Sequence, residues 1–306
     1  MTTTESIYPD DEIDLRAIFA DLWRGKWLII GLTVVCAVAG VVYAKLQPDI
    51  YQAQATLAPK DGGETRTGGG GLQGLASLAG VNLGGGSSNQ SVIAQEVLKS
   101  RAFLGDFIER HNYAPQLAAV ERWNPGTKAL EYDPERYSVE TEQWLSVAPS
   151  NWNLVNRTRG LLGVASNKNT GMLTVSFQHE SPEFAQEIVY NLVQDINNHM
   201  RKLDVDEAER SIRYLENKIQ ETSIAGMQQV FFQLIESETR KVMLAHSSPE
   251  YVFKTIDPAV TPEVPSEPKR RLIAMVATMA GALLGVLIVL IRSFFFSAKP
   301  PTINKA

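Results

Sequence analysis

The chain has 306 residues, 44% of them apolar and 21% charged, with a formal net charge of −5. That charge balance speaks against a nucleic-acid binder, which usually shows a basic face, and a single cysteine, Cys36, rules out an intramolecular disulfide. What the length does allow is one sizeable domain.

The N-terminal segment, residues 1–26, is short and carries Arg16, Arg24 and Lys26. It leads into "WLIIGLTVVCAVAGVVYAKL", residues 27–46, whose one charge is Lys45 at the very end. A helix needs about 20 apolar residues to cross a bilayer core of about 30 Å, so this run predicts a first transmembrane helix. It is too long for a secretory h-region, and the following "QPDIYQA" holds no A-x-A cleavage site. Residues 272–291, "LIAMVATMAGALLGVLIVLI", are uncharged and predict a second span. Basic residues flank both spans on the tail side, Arg292, Lys299 and Lys305 in the 292–306 tail. The positive-inside rule then puts both tails in the cytoplasm and residues 47–271 outside. Lys269, Arg270 and Arg271 weigh little against this, because the rule reads short loops and this segment has 225 residues.

Within that segment 22 Lys and Arg face 28 Asp and Glu. "IYQAQATLAP", residues 50–59, alternates and predicts a strand. Eleven of the 22 glycines lie between Gly62 and Gly86. Gly69, Gly71 and Gly74 fit G-x-G-x-x-G, but no strand precedes them and Glu96, 22 residues past Gly74, sits in a helical pattern. A dinucleotide fingerprint requires that context. Residues 62–90 instead read as a flexible loop, interrupted by the apolar patch "LASLAG" with Leu75 and Leu78, candidates for contact with a neighbour.

Ser91 is placed to cap a helix running to about Arg110, although the apolar spacing is loose. Residues 111–150, with four prolines, read as short helices and turns. Residues 171–179 predict a strand with Leu173, Val175 and Phe177 inward. Ser181, Pro182 and Glu183 then open a helix as N-cap, first helical residue and acidic first turn. No Gly or Pro interrupts it before Gly226. Phe184, Ile188, Leu192, Ile196 and Met200 recur every fourth residue, and Val205, Ala208, Ile212, Leu215 and Ile219 form a heptad seam. The long helix, residues 181–221, would span about 60 Å. A hairpin with residues 227–243, which carry Val230, Phe231, Leu234 and Ile235, would cover part of it and leave apolar surface for neighbouring subunits.

No catalytic constellation is visible. His111, His179, His199 and His246 are scattered, no G-x-S-x-G or Walker sequence occurs, and nothing calls for a cofactor or metal. Asp204, Asp206, Glu207 and Glu209 read as a solvated face. Asn89 and Asn156 begin sequons of the kind that arise often by chance. In the second span, Ala277, Gly281 and Gly285 recur every four residues, a small-x-x-x-small face able to pack on Ala37 and Gly40 of the first.

Five stretches together resemble the polysaccharide chain-length determinant (Wzz) family, the class 1 polysaccharide co-polymerases. They are "EIDLRAIFADLWRGKWLI", "LASLAG", "LKSRAFLGDFIE", "VSFQHESPEFAQEIVYNLVQDIN" and "PEVPSEPKRRLIAMVATMAGALLG". In the last, Pro262, Pro265, Pro268, Lys269, Gly281 and Gly285 match the family motif, whereas Ala282 and Glu267 stand where glycine and serine are expected. The resemblance implies an α/β class protein, with two transmembrane helices flanking a periplasmic α/β base domain, a long protruding helix and a helical hairpin. It also implies a non-enzymatic regulator of the modal length of a lipid-linked glycan, chiefly lipopolysaccharide O-antigen, in the bacterial inner membrane. Its partners would be the bilayer, the lipid-linked polysaccharide, the membrane polymerase, and copies of itself in a ring of about eight subunits. The long-helix residues Val205, Ile212, Leu215 and Ile219 become candidate contacts in that ring. A length regulator or export adaptor for enterobacterial common antigen, capsule or exopolysaccharide is the alternative. The tail 292–306 holds no Walker motif and no Tyr, which leaves no room there for a fused kinase.

Overall fold

A computed structural model describes residues 22–60 and 86–296, so Leu75 and Leu78 lie outside the described residues. The chain divides into two units, residues 1–49 with 267–306, and residues 50–266.

The first unit is a pair of helices, α1 (Lys26–Leu46) and, at the far end of the sequence, α8 (Arg270–Phe296). Both are long and apolar enough to cross a membrane, and only 11% and 17% of their most apolar windows are buried within the chain. Exposed Val, Leu and Ile cover their outer faces. Trp23 and Trp27 at one end, and Tyr43 at the other, are exposed as membrane-interface aromatics are. Polar side chains inside the spans bond to their own helix: the Thr33 and Thr278 hydroxyls donate to Ile29 and Ala274 carbonyls at 2.7 Å. At the other end of the hairpin the Arg270 guanidinium reaches Asp49 Oδ1 at 2.8 Å. The cluster Lys269–Arg271, awkward for the positive-inside rule, thus includes a charge paired within the chain.

The second unit is an α/β domain. Its sheet has the order β6-β7-β1-β8, where β1 is Tyr51–Pro59, β6 Leu162–Ser166, β7 Leu173–His179 and β8 Phe253–Asp257, and every pairing is antiparallel. Period-two alternation sends Ala53, Ala55 and Leu57 of β1, and Leu173, Val175 and Phe177 of β7, to one face where all are buried. The opposite face carries Gln52, Gln54, Thr56, Thr174, Ser176 and Gln178, none of them buried. On the apolar face lies α6 (Pro182–Glu221), 40 residues long. Ser181 caps it by accepting from Phe184 N at 3.2 Å. From Phe184 to Met200 its apolar row is buried against the sheet; beyond Met200 only Ala208 is.

There the partner changes. Helix α7 (Ala225–His246) returns after a three-residue connection and packs along the far half of α6. Gln228, Phe231, Ile235, Glu238, Val242 and Ala245, each half-buried or buried, step 3, 4, 3, 4, 3 along it and form the second half of a coiled-coil seam. Val205, Ile212, Leu215 and Ile219 are half-buried along the same stretch.

Several local expectations need correction. The helix expected from Ser91 begins earlier, as α2 (Gly86–Leu98), so the last residues assigned to the glycine-rich loop are helical. Ser91 lies inside it, buried, and Ala94 and Leu98 anchor it. The run also breaks at Ser100, which caps a separate α3 (Arg101–Arg110) by accepting from Phe103 N at 3.2 Å. The loose apolar spacing was a phase change between two helices, and the break lets Phe103, Leu104, Phe107 and Ile108 all enter the core. After α4 (Ala114–Ala118) come two small hairpins, β2 (Val120–Asn124) with β3 (Ala129–Tyr132) and β4 (Tyr137–Ser138) with β5 (Gln143–Trp144). Helix α5 (Asn151–Leu161), capped by Ser150, runs straight into β6.

Candidate functional site

Two places concentrate constraint. The first is the seam between the spans. A Cβ built on Gly281 would stand 2.7 Å from Cys36 Cβ and 3.1 Å from Thr33 Cα; one on Gly285 would stand 2.9 Å from Ile29 Cα. A Cβ on Gly40 would collide with the Ala277 methyl. The row Ala277, Gly281, Gly285 of α8 therefore faces Gly40, Cys36, Thr33 and Ile29 of α1, and the backbones meet where side chains are missing. Such contacts matter in a bilayer, where burial of apolar surface gives no driving force between helices. Gly31, by contrast, has open space around it. The proline-rich approach is half-buried at Pro262, Pro265 and Pro268, and Lys269 is exposed. Gln186 of α6 ties this approach down, donating to the Ala259 carbonyl at 3.2 Å and accepting from the Thr261 hydroxyl at 2.6 Å.

The second is the set of polar side chains that bolt the first half of α6 to its surroundings. Asn197 is 3% exposed. Its Oδ1 accepts from the backbone N–H groups of Tyr251, Val252 and Phe253 at 3.1, 2.9 and 2.9 Å, and its Nδ2 donates to the Phe253 carbonyl at 3.1 Å. One amide thus fixes the start of β8. Sequence reasoning missed it, although the signal was there: Asn197 continues the apolar row Val189, Val193 at a spacing of four. Asp195, also buried, accepts from Arg110 Nη1 at 2.6 Å and lies 3.0 Å from His111 Nε2. The Tyr113 hydroxyl donates to Glu187 at 2.9 Å and accepts from Asn191 at 2.6 Å; burial pushes its pKa up. The Tyr251 hydroxyl donates to Asp204 at 2.7 Å, with its pKa pushed up to about 12, first by burial. Asp204, read from sequence as part of a solvated face, also receives the Gln90 amide and so holds α2.

His179 closes the turn between β7 and α6. Its Nε2–H donates to the Gln116 carbonyl at 3.2 Å, and its Nδ1 accepts from Ser181 N at 3.1 Å. That pattern fits only the neutral ring. Burial, with the Arg157 charge adding, lowers its pKa to about 4 against the ordinary 6.5, although the bond to the Gln116 carbonyl opposes the shift. The unfolded chain therefore takes up a proton below pH 6.5 that the folded chain refuses until about pH 4, and stability falls as pH falls through this window. Between pH 7 and 5 this group alone should remove about 2 kcal/mol. Urea midpoints of the chain and of His179→Gln at the two pH values check it, since the variant should lose that much less.

Among the described residues no group of three or more His, Cys, Asp and Glu is placed to hold a metal. On α6 the polar side chains pair within the chain. What they do is fix geometry: two spans held at backbone distance, and a long helix bolted to a sheet.

Those features define a class, a membrane protein anchored by paired spans at both ends of a large α/β domain that carries a helical hairpin. A family model described as "Chain length determinant protein" matches residues 11–111, and one described as "G-rich domain on putative tyrosine kinase" matches residues 222–294. Over residues 11–111 the chain is thus similar to the chain-length determinant (Wzz) family. No curated protein sequence matches it. Among solved structures, a full-length bacterial polysaccharide co-polymerase is similar, at 16% identity and a TM-score of 0.42, covering 95% of this chain and 100% of that one. A likeness that loose carries no weight here.

Proposed function

We propose that this chain is a non-enzymatic regulator of the modal length of a lipid-carrier-linked surface polysaccharide, O-antigen in the first instance. It acts beside the membrane polymerase, with both termini cytoplasmic and residues 47–271 in the periplasm. The match of residues 11–111 to the chain-length determinant model carries this reading, because it runs from before the first span through β1 to the end of α3. Ring-like self-association belongs to the same reading. Exposed Met227, Val230, Phe232 and Leu234 on α7 supply apolar surface for it, once the seam of α6 is occupied within the chain. A capsule or exopolysaccharide in place of O-antigen is favoured by the second match, whose description names a tyrosine kinase. Co-purification of a separate cytoplasmic tyrosine kinase with the chain would select that alternative.

Deleting the protein should leave polymer synthesis intact and change its length distribution, as read on a gel of surface polysaccharide. Complete loss of polymer would sink the regulator reading, and an unchanged distribution would sink it equally.

A further inference from the structure

The end of α4, the β4–β5 hairpin with the stretch after it, and α5 line a cleft of about 450 Å³. That size lies within the range of small-ligand sites, about 300–1,000 Å³. Arg136, Trp144 and Ser146 line it from the β4–β5 side; Asn153, Leu154 and Arg157 line it from α5. Asn153 and Arg157 are four residues apart on one helix, so both present the same face. Trp144 is held in place by edge contact with the buried Tyr137 ring, centroids 5.4 Å apart. The chain is pinned there by the Leu145 N–H donating to the Arg136 carbonyl at 2.9 Å.

The charges are uneven. Among the described residues no carboxylate lines the cleft. Arg136 pairs with Asp133 through its Nε, at 3.1 Å. Among the described residues Arg157 forms no ion pair within 4 Å; its charge is felt by the neighbouring Glu180 and His179. Two guanidinium groups, one indole, one hydroxyl and one amide around a cavity of this size make a particular donor set. An indole accepts the C–H face of a pyranose. A hydroxyl and an amide suit its ring hydroxyls. A guanidinium fork matches a carboxylate in a bidentate pair, which a point charge does not. We propose that this cleft binds an acidic sugar residue, a uronate or other carboxylated pyranose, of the glycan whose length the chain sets; the proposal rests on that glycan reading.

Calorimetric titration of the full-length chain in detergent tests it, with trigalacturonate, neutral maltotriose and inorganic phosphate as probes. Trigalacturonate should bind at least about tenfold more tightly than maltotriose, the difference that one charge-assisted hydrogen bond makes. Arg157→Gln, an exposed helix-surface change, should remove that advantage, Arg157→Lys should restore only part of it, and Trp144→Ala should weaken both sugars. Arg122→Gln, outside the cleft, should change nothing. Phosphate should displace trigalacturonate only at far higher concentration. Equal affinity for the two sugars, indifference to Arg157→Gln, or displacement by phosphate at equal concentration would each overturn the proposal. If trigalacturonate fails to bind while the deletion strain still loses its modal length, the cleft falls and the length reading stands.

Discussion

Replacing Asn197 with alanine should unfold the α/β domain under conditions where the native chain is stable. Three backbone N–H groups, those of Tyr251, Val252 and Phe253, converge on one side-chain oxygen. Val252 and Phe253 are almost fully buried, so water has little access to replace it. Each buried donor left without a partner costs about 1–3 kcal/mol. The two almost fully buried donors alone make about 2–6 kcal/mol, to which the cavity left by the lost amide adds, against a domain stability of about 5–15 kcal/mol. Asn197→Asp separates the causes. It keeps the acceptor and loses only the donation to the Phe253 and Val193 carbonyls, at the expense of a buried charge. Above neutral pH it should be destabilised less than the alanine variant. Urea unfolding followed by tryptophan fluorescence measures both, and an alanine variant within about 1 kcal/mol of wild type would show that β8 is held by something else.

Gly281→Leu should insert normally and yet lose or shift length control. The position of its first side-chain atom is already taken by Cys36 Cβ at 2.7 Å and Thr33 Cα at 3.1 Å, and the second of these is backbone. The spans must separate or rotate, at a cost of about 1–3 kcal/mol for an overpacked contact. Gly31→Leu is the matched control, the same change in the same hairpin at a position with open space. Cys36 is a native reporter, half-buried at the contact. Labelling by a membrane-permeant maleimide should accelerate in Gly281→Leu and stay at the wild-type rate in Gly31→Leu. A wild-type glycan ladder from Gly281→Leu, with faster labelling, would show that the close contact serves stability alone.

How much of this was readable in the sequence follows from the range of each signal. The spans, β1, β7 and the long helix rest on periodicities and caps that are local, and Ser181-Pro182-Glu183 marks the start of α6 to the residue. The seam row Ala277, Gly281, Gly285 was legible because in lipid small size alone suggests close approach. Residues 86–166 were harder. Ser100 looks like any surface serine until the break at Lys99 is known, and β4 and β5 are two residues each, too short for alternation to show. The bolts on α6 are long-range pairs. Asn197 with Tyr251, Asp195 with Arg110 and Asp204 with Gln90 join residues 54, 85 and 114 apart, and no local pattern announces such a partner. The charged residues near Asp204 look solvated in a helical repeat, and only the fold brings Tyr251 and Gln90 to that carboxylate.

The most direct measurement is reconstitution. The membrane polymerase and lipid-linked repeat units are placed in vesicles, with and without the full-length chain, and the polymer is resolved by gel. With the polymerase alone the lengths should decay without a preferred value; adding the chain should create a mode without starting synthesis where polymerase is absent. An unaltered distribution, or polymer made by the chain on its own, would contradict the assignment of this protein as a non-enzymatic length regulator.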